Sequence, residues 1–260
     1  MSNESFLRNI KPSFFVLTIS TVIILIVMVF VPPIPQNLEF HDFADKRKLI
    51  NTPNFWDVIT NIPFLFIGIL GLLKLSKKRF KGVLYDLINA YRMFFFGLIL
   101  IGFGSGYYHL DPNNDSLVWD RLPITLSFMA FFTISLGESI STHTASKLFY
   151  PLLLIGILSV VYWNFTESIG EGDLRIYALV QFLPILIIPL LLLFYKSLLT
   201  GKGWIFTIIA CYGFAKVAEF LDHQIYQWIG FSGHSLKHLI AAFGAYLFLV
   251  SFQYRKSLSY

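Results

Sequence analysis

Gly102-Phe103-Gly104-Ser105-Gly106-Tyr107-Tyr108-His109 closes a long apolar segment and places a hydroxyl and an imidazole four residues apart. Far along the chain, His234-Ser235-Leu236-Lys237-His238 opens another apolar segment, with two imidazoles at the same spacing. In a helix, residues i and i+4 lie on one face, about 6 Å apart along the axis, so each pair can point at one spot. The two stretches therefore predict two helices whose polar ends could meet at one site.

The composition indicates an integral membrane protein. Of the 260 residues, 56% are hydrophobic and 13% are charged, with a mean hydropathy of +0.67, whereas soluble domains carry about 25% charged residues. The net charge of +5 does not indicate nucleic-acid binding, because the basic residues lie in short loops between apolar runs, as they do beside membrane helices. The single cysteine, Cys211, excludes an intrachain disulfide framework.

Eight apolar runs are long enough to span a bilayer as helices. The first, residues 14–31, is longer than a signal-peptide core and lacks a small-residue cleavage site, which favours a retained helix. The other seven cover residues 55–76, 93–109, 120–136, 148–164, 177–195, 204–221 and 234–252. We therefore predict one all-α membrane domain over residues 1–260, in which an extra N-terminal helix (1–36) precedes a seven-helix core (37–256).

The distribution of positive charge predicts the orientation. Eight spans place both termini on one side, and the segments on that side hold most of the Lys and Arg outside the first loop. By the positive-inside rule both termini are cytoplasmic, although the basic run 46–48 in the first outer loop counts against this. In this orientation five polar residues fall at one depth, in the outer leaflet: Ser105, His109, Asp120, His234 and His238.

These residue types suit zinc-dependent hydrolysis. Three neutral imidazoles, from His109, His234 and His238, would leave the fourth zinc position open, as in catalytic sites. Asp120 could take a proton from water and hand it to the leaving group. Ser105 could donate a hydrogen bond to the developing oxyanion. The set predicts cleavage of an amide or ester, and its depth would let a lipid substrate enter from the membrane.

Plainer interpretations exist for the same residues. His-x-x-x-His alone is a weak metal motif. Asp120 could be a helix N-cap with Pro123 in the first turn, and Ser105 could bond a carbonyl of the preceding turn. The shared depth favours a functional site, because burying unpaired ionisable groups in a membrane is costly.

The combination Gly-Phe-Gly-Ser105-Gly-Tyr-Tyr-His109, Asp120-Arg-Leu-Pro123 and His234-x-x-x-His238 resembles the alkaline ceramidase family, within the CREST superfamily of membrane hydrolases. The resemblance covers roughly residues 40–255, and Thr60 stands where the family's first core helix usually has Ser. It implies a CREST-type seven-helix core, zinc bound by the three histidines, Asp120 as acid and base, and Ser105 beside the oxyanion. The implied reaction is hydrolysis of ceramide to a sphingoid base and a fatty acid.

The resemblance implies two further roles. Animal-type members carry an acidic calcium site before the first core helix. Here that loop offers Asp42, Asp45 and Asn54 as candidate ligands, with Asn54 where the site has a Glu. Asp222 matches an Asp of similar position in the family and is predicted to orient a ligand imidazole.

Two rival functions remain open beside a zinc amidase for ceramide-like lipids. One is a zinc-dependent esterase or phospholipase of the same superfamily, acting on glycerolipids. The other is a receptor-like membrane protein whose zinc only joins helices. A structural zinc site normally has four protein ligands, so three histidines beside Asp120 and Ser105 favour catalysis.

Overall fold

The computed structural model describes residues 21–24, 26, 28–77 and 80–258. Within these ranges the regular structure is helical, and seven helical spans are long and apolar enough to cross a membrane. This confirms the predicted all-α, seven-helix membrane core. The predicted N-terminal helix over residues 14–31 lies largely outside the described residues, and the described positions between 21 and 30 are helical.

The first span is divided by a short break, and the other six spans are formed by one long helix each. The helices are α1 (Phe55–Ile59), α2 (Ile62–Ser76), α3 (Ile88–Leu110), α4 (Asn114–Ser139), α5 (Thr142–Ser168), α6 (Arg175–Phe194), α7 (Gly203–Phe220), α8 (Asp222–Ile229) and α9 (Gly233–Tyr254). The short helix α8 joins two spans and lies between the predicted spans 204–221 and 234–252.

The helices pack mainly with their neighbours in sequence. From α2 to α6 each packs against the next, and α4 also packs against α6. Helix α9 packs against α7 and also against α2. Helices α6 and α7 make few close approaches to each other, although they are consecutive spans. The bundle is therefore least closed between α6 and α7.

An aromatic cluster sets the register between α3 and α9. The rings of Phe95 and Phe248 stack with centroids 6.2 Å apart, and Phe94 meets Phe248 edge-on at 5.0 Å. Each such pair is worth about 0.5–1.5 kcal/mol beyond its buried area. His109 lies 14 residues after Phe95, and His234 lies 14 residues before Phe248. Because 14 residues span about 21 Å of helix, the stacked rings bring the two histidines to one level.

Helix α4 begins earlier than the sequence pattern predicted. We expected residues 111–116 to form a loop and the helix to start near Asp120, whereas it starts at Asn114. The reason is a capping box, in which the Asn113 side chain accepts from the backbone N–H of Ser116 and the Ser116 hydroxyl accepts from that of Asn113. Asp120 therefore lies in the second turn and is not the N-cap, which removes that plainer interpretation.

Gly104 allows α3 and α4 to approach closely beside the site. A β-carbon at Gly104 would collide with the carbonyl oxygen of Trp119. The next residues in sequence are Ser105 on α3 and Asp120 on α4. The contact thus places the two predicted catalytic side chains near each other.

Candidate metal centre and cavity

Three histidines from α3 and α9 form a buried cluster. His109, His234 and His238 are 1%, 3% and 4% exposed, and one ring nitrogen from each lies within 4.8 Å of the others. The Nε2 atoms of His109 and His234 are 3.2 Å apart. Among the described residues, no other group of three or more His, Cys, Asp or Glu converges in this way. The two sequence stretches do meet, and they bring together a donor set that could hold a metal ion.

The hydroxyl of Thr60 contacts the Nδ1 atom of His238. The Thr60 hydroxyl lies 2.7 Å from the carbonyl oxygen of Trp56, to which it donates its single proton. With that proton committed, the hydroxyl can only accept from an N–H at His238 Nδ1, 3.0 Å away, and the side-chain nitrogen of Asn61 lies 3.3 Å from the same atom. His238 Nε2 then has a free lone pair, and it is buried without a hydrogen-bond partner. The imidazole is thus prepared to bind a cation through Nε2.

This contact leads to a prediction for Thr60→Val. Valine keeps the branched shape but cannot accept the Nδ1 proton, so His238 loses its orientation. We expect zinc affinity to fall by about 10–100-fold, the usual effect of removing such a partner. Thr60→Ser keeps the hydroxyl and is the matched control, with affinity close to wild type. Zinc titration against a competing chelator measures both variants, and wild-type affinity in Thr60→Val would show that Thr60 does not orient His238.

The start of α9 is fixed by buried side chains of other segments. Ser232 caps the helix by accepting from the backbone N–H of His234 at 3.0 Å. Asp222 accepts from the Ser232 hydroxyl at 2.7 Å and from the same His234 N–H at 3.0 Å. Asp57 accepts from the Ser235 hydroxyl at 2.5 Å. Asp222 therefore reaches the backbone of His234, and its role in orienting a ligand imidazole stays a prediction.

The loop before α1 covers the histidine cluster. The ring of Phe43 is 4% exposed, and its centroid lies 4.7 Å from that of His109 and 4.3 Å from that of His234. The amide of Asn54 donates to the carbonyl oxygen of His109 at 2.9 Å. The loop thus covers one side of the site with apolar surface, a contact that no local sequence pattern indicated.

The predicted calcium ligands have other partners. Asp42 is paired with Lys46, whose ammonium lowers the pKa of that carboxyl. Asp45 binds the guanidinium of Arg47 through both oxygens, with Nε 2.8 Å from Oδ1. Asn54 donates its amide to a backbone carbonyl. The three side chains are thus engaged with other partners in this structure, and calcium binding at them stays a prediction.

A cavity of about 230 Å³ lies beside the histidines. His234, His238, Ser105 and Asp120 are among its lining residues. Side chains of α6 and α7 form one wall, where these helices have little direct packing. The predicted catalytic residues therefore share one cavity with two of the three predicted metal ligands.

Three charged side chains that line the cavity were not predicted from the sequence. Lys216 and Glu219 of α7 and Lys237 of α9 line the cavity. A signal was present, because ionisable residues within membrane helices are functional candidates by default. Lys237 lies inside the His-x-x-x-His motif.

Comparison with known proteins agrees with this geometry. A search among curated protein sequences finds no match. The family model described as Ceramidase matches residues 51–259, which include the three histidines, Ser105 and Asp120. The match covers most of the chain and all seven spans. The chain therefore belongs to the ceramidase family.

Proposed function

We propose that this protein is a zinc-dependent membrane amidase that hydrolyses ceramide-type lipids to a sphingoid base and a fatty acid. The observation that carries the proposal is the convergence of three buried histidines beside a cavity that also holds Ser105 and Asp120. Membership of the ceramidase family supports ceramide as the substrate class.

The donor set fits zinc. Imidazole nitrogens suit this ion, and three protein ligands leave a position for water or substrate. The Nε2 atom of His238 is buried without a hydrogen-bond partner, and a cation would satisfy its lone pair. When bound, zinc would polarise the substrate carbonyl and activate water.

Side chains of the protein would then carry out the proton transfers. Asp120 would accept a proton from the attacking water as the new C–O bond forms. It would return that proton to the amide nitrogen as the C–N bond breaks, giving one amine and one carboxylic acid. Ser105, which lines the same cavity as Asp120, would turn its hydroxyl toward the carbonyl oxygen as negative charge develops there.

A lipid could reach the cavity from the side. The loosely packed α6 and α7 both line it, so a substrate could enter between them without leaving the bilayer. Much of the remaining lining is apolar and would suit an acyl chain, including Phe64, Phe94, Leu98 and Ile101. The covering loop with Phe43 would keep bulk water off the histidines.

Paired substrates test the proposal. Purified protein in lipid nanodiscs is incubated with a ceramide and with a phosphatidylcholine that carry the same labelled acyl chain, and products are identified by mass spectrometry. The proposed function predicts labelled fatty acid and sphingoid base from the ceramide. Release from the phospholipid alone would favour the esterase alternative. No release from either lipid by zinc-loaded protein would favour the receptor-like alternative.

We also propose that both termini face the cytoplasm and that the cavity lies toward the opposite leaflet, on the basis of the positive charges. Single cysteines at Lys81 and at Asp115, in a Cys211→Ser background, test this in intact cells or sealed vesicles. Both positions are exposed. An impermeant maleimide added outside should label Asp115→Cys and leave Lys81→Cys unlabelled until the membrane is opened. The reverse labelling pattern would show that the protein has the opposite orientation in the membrane.

A further inference from the structure

A charged cluster lies in the cavity wall next to the histidines. Glu219 accepts from the ammonium of Lys237 at 3.0 Å and is also paired with Lys216. Glu219 and Lys237 are 16% and 19% exposed, so the pair is largely removed from solvent. Charges at membrane depth are costly unless they are paired. One carboxylate between two ammonium groups leaves an excess of one positive charge.

The other charged residues of the cavity do not cancel this excess. They are Asp120 and Arg121, whose formal charges balance each other. Arg121 donates to the side chain of Gln36 at 2.5 Å, and its guanidinium lies 4.1 Å from the ring centroid of Trp163. The cavity as a whole therefore carries one more positive than negative charge, and the Lys216–Glu219–Lys237 cluster holds the surplus.

Lys237 is the member of the cluster whose positive charge would contact a bound lipid. Its ammonium lies 2.9 Å from Nε2 of His234. That nitrogen cannot both accept from Lys237 and give its lone pair to a metal, so metal binding would release the ammonium from this contact. Glu219 would still hold it at the cavity wall, with further N–H groups available. An anionic oxygen within the cavity would satisfy them, and charge-assisted hydrogen bonds are strong at low dielectric.

We propose that Lys237, held in place by Glu219, with which Lys216 is also paired, forms a subsite for a lipid carboxylate in this cavity. The proposal deepens the proposed function, because it assumes that the same cavity takes the lipid. A carboxylate could come from two sources: the fatty acid released by amide hydrolysis, or an acidic group on the amine side of the substrate, as in an N-acyl amino acid. Lys216 lies at the less closed side of the bundle, 6.0 Å from the ring centroid of Phe182 on α6, where a lipid would enter.

Binding measurements on matched lipids test the subsite without turnover. Displacement of a fluorescent fatty acid from purified protein in nanodiscs is measured with palmitic acid and palmityl alcohol, which differ in the carboxylate. A second pair, N-palmitoylglycine and N-palmitoylethanolamine, places the carboxylate on the amine side. In wild type the acid of at least one pair should bind better than its neutral partner. The pair that shows the preference identifies the source.

Three variants decide whether Lys237 makes the contact. Lys237→Gln should weaken binding of the preferred acid by about 10-fold or more, as expected for loss of a charged hydrogen bond, and should leave the neutral partner unchanged. Lys216→Gln removes the same charge at a greater distance and should have a smaller effect. Lys237→Arg keeps the charge and should retain the preference. Melting temperature and zinc content are recorded for each variant.

Two outcomes would overturn the inference. One is an equal loss for acid and neutral lipid in Lys237→Gln, which would mean a purely structural role. The other is an unchanged preference in Lys237→Gln while the protein is folded. Ceramide hydrolysis by the wild type is assayed separately. The inference can therefore fail while the proposed function stands, or the carboxylate preference can be found in a protein that does not cleave ceramide.

Discussion

Asp120→Asn should lower ceramide turnover by about 10²–10⁴-fold, equivalent to roughly 3–5 kcal/mol of barrier. Asparagine has nearly the same shape but cannot take up and return a proton. Asp120 lies in the second turn of α4, while Asn113 provides the N-cap, so the exchange removes no helix cap. We therefore expect zinc content and melting temperature near wild type, with the loss in kcat and little change in KM.

The loss of activity in Asp120→Asn is compared with that in Ser105→Ala. Ser105 should also matter, but less, because bound zinc would still polarise the carbonyl oxygen. Activity assays run beside zinc analysis and thermal melts separate the roles. A folded, zinc-loaded Asp120→Asn protein with wild-type activity would rule out Asp120 as the acid and base. A variant that loses zinc and melts early would show that Asp120 serves the structure.

Replacing both His234 and His238 by Ala should remove bound zinc and reduce ceramide turnover to background. One imidazole, His109, would remain, and a single protein ligand cannot hold zinc tightly at this kind of site. Elemental analysis of purified protein measures the loss, with about one zinc per chain expected in wild type. His143→Ala is the matched control, because His143 is exposed and far along the chain from the cluster, and it should keep both zinc and activity.

The double variant should still fold. Its side chains are buried at the edge of a cavity, and alanine leaves no unsatisfied charge there, although the Thr60 hydroxyl loses the His238 partner. A full zinc content in the double variant would show that the ligands lie elsewhere. Equal losses in His143→Ala would show that the assay reports general damage to the protein.

The membrane core could be predicted from the sequence because long apolar runs have few alternatives to spanning helices. The residues at which the spans begin and end were harder to predict. Helix α4 starts at Asn114, inside a polar segment that resembles a loop, because the Asn113–Ser116 capping box competes with turn formation. The meeting of His109 with His234 and His238 was foreseen from span direction and depth, and the Phe95–Phe248 stack supplies its physical cause.

Two side-chain contacts between distant segments could not be foreseen. Phe43 covers His109 and His234 from a loop that precedes the first core span. The Nδ1 atom of His238 contacts the hydroxyl of Thr60, 178 residues away. Neither contact leaves a local pattern, because each depends on how the helices close. Lys237 and Glu219 are a different case: their charges inside apolar spans were visible in the sequence, and only the pairing between α7 and α9 needed the structure.

Zinc removal and reloading tests the central claim most directly. Protein in nanodiscs is stripped with a chelator, zinc is added back in measured steps, and ceramide hydrolysis is recorded at each step. The proposed function predicts no turnover without metal, a rise in proportion to bound zinc, and a plateau at about one zinc per chain. Full ceramide turnover by protein that elemental analysis shows to be free of metal would contradict it.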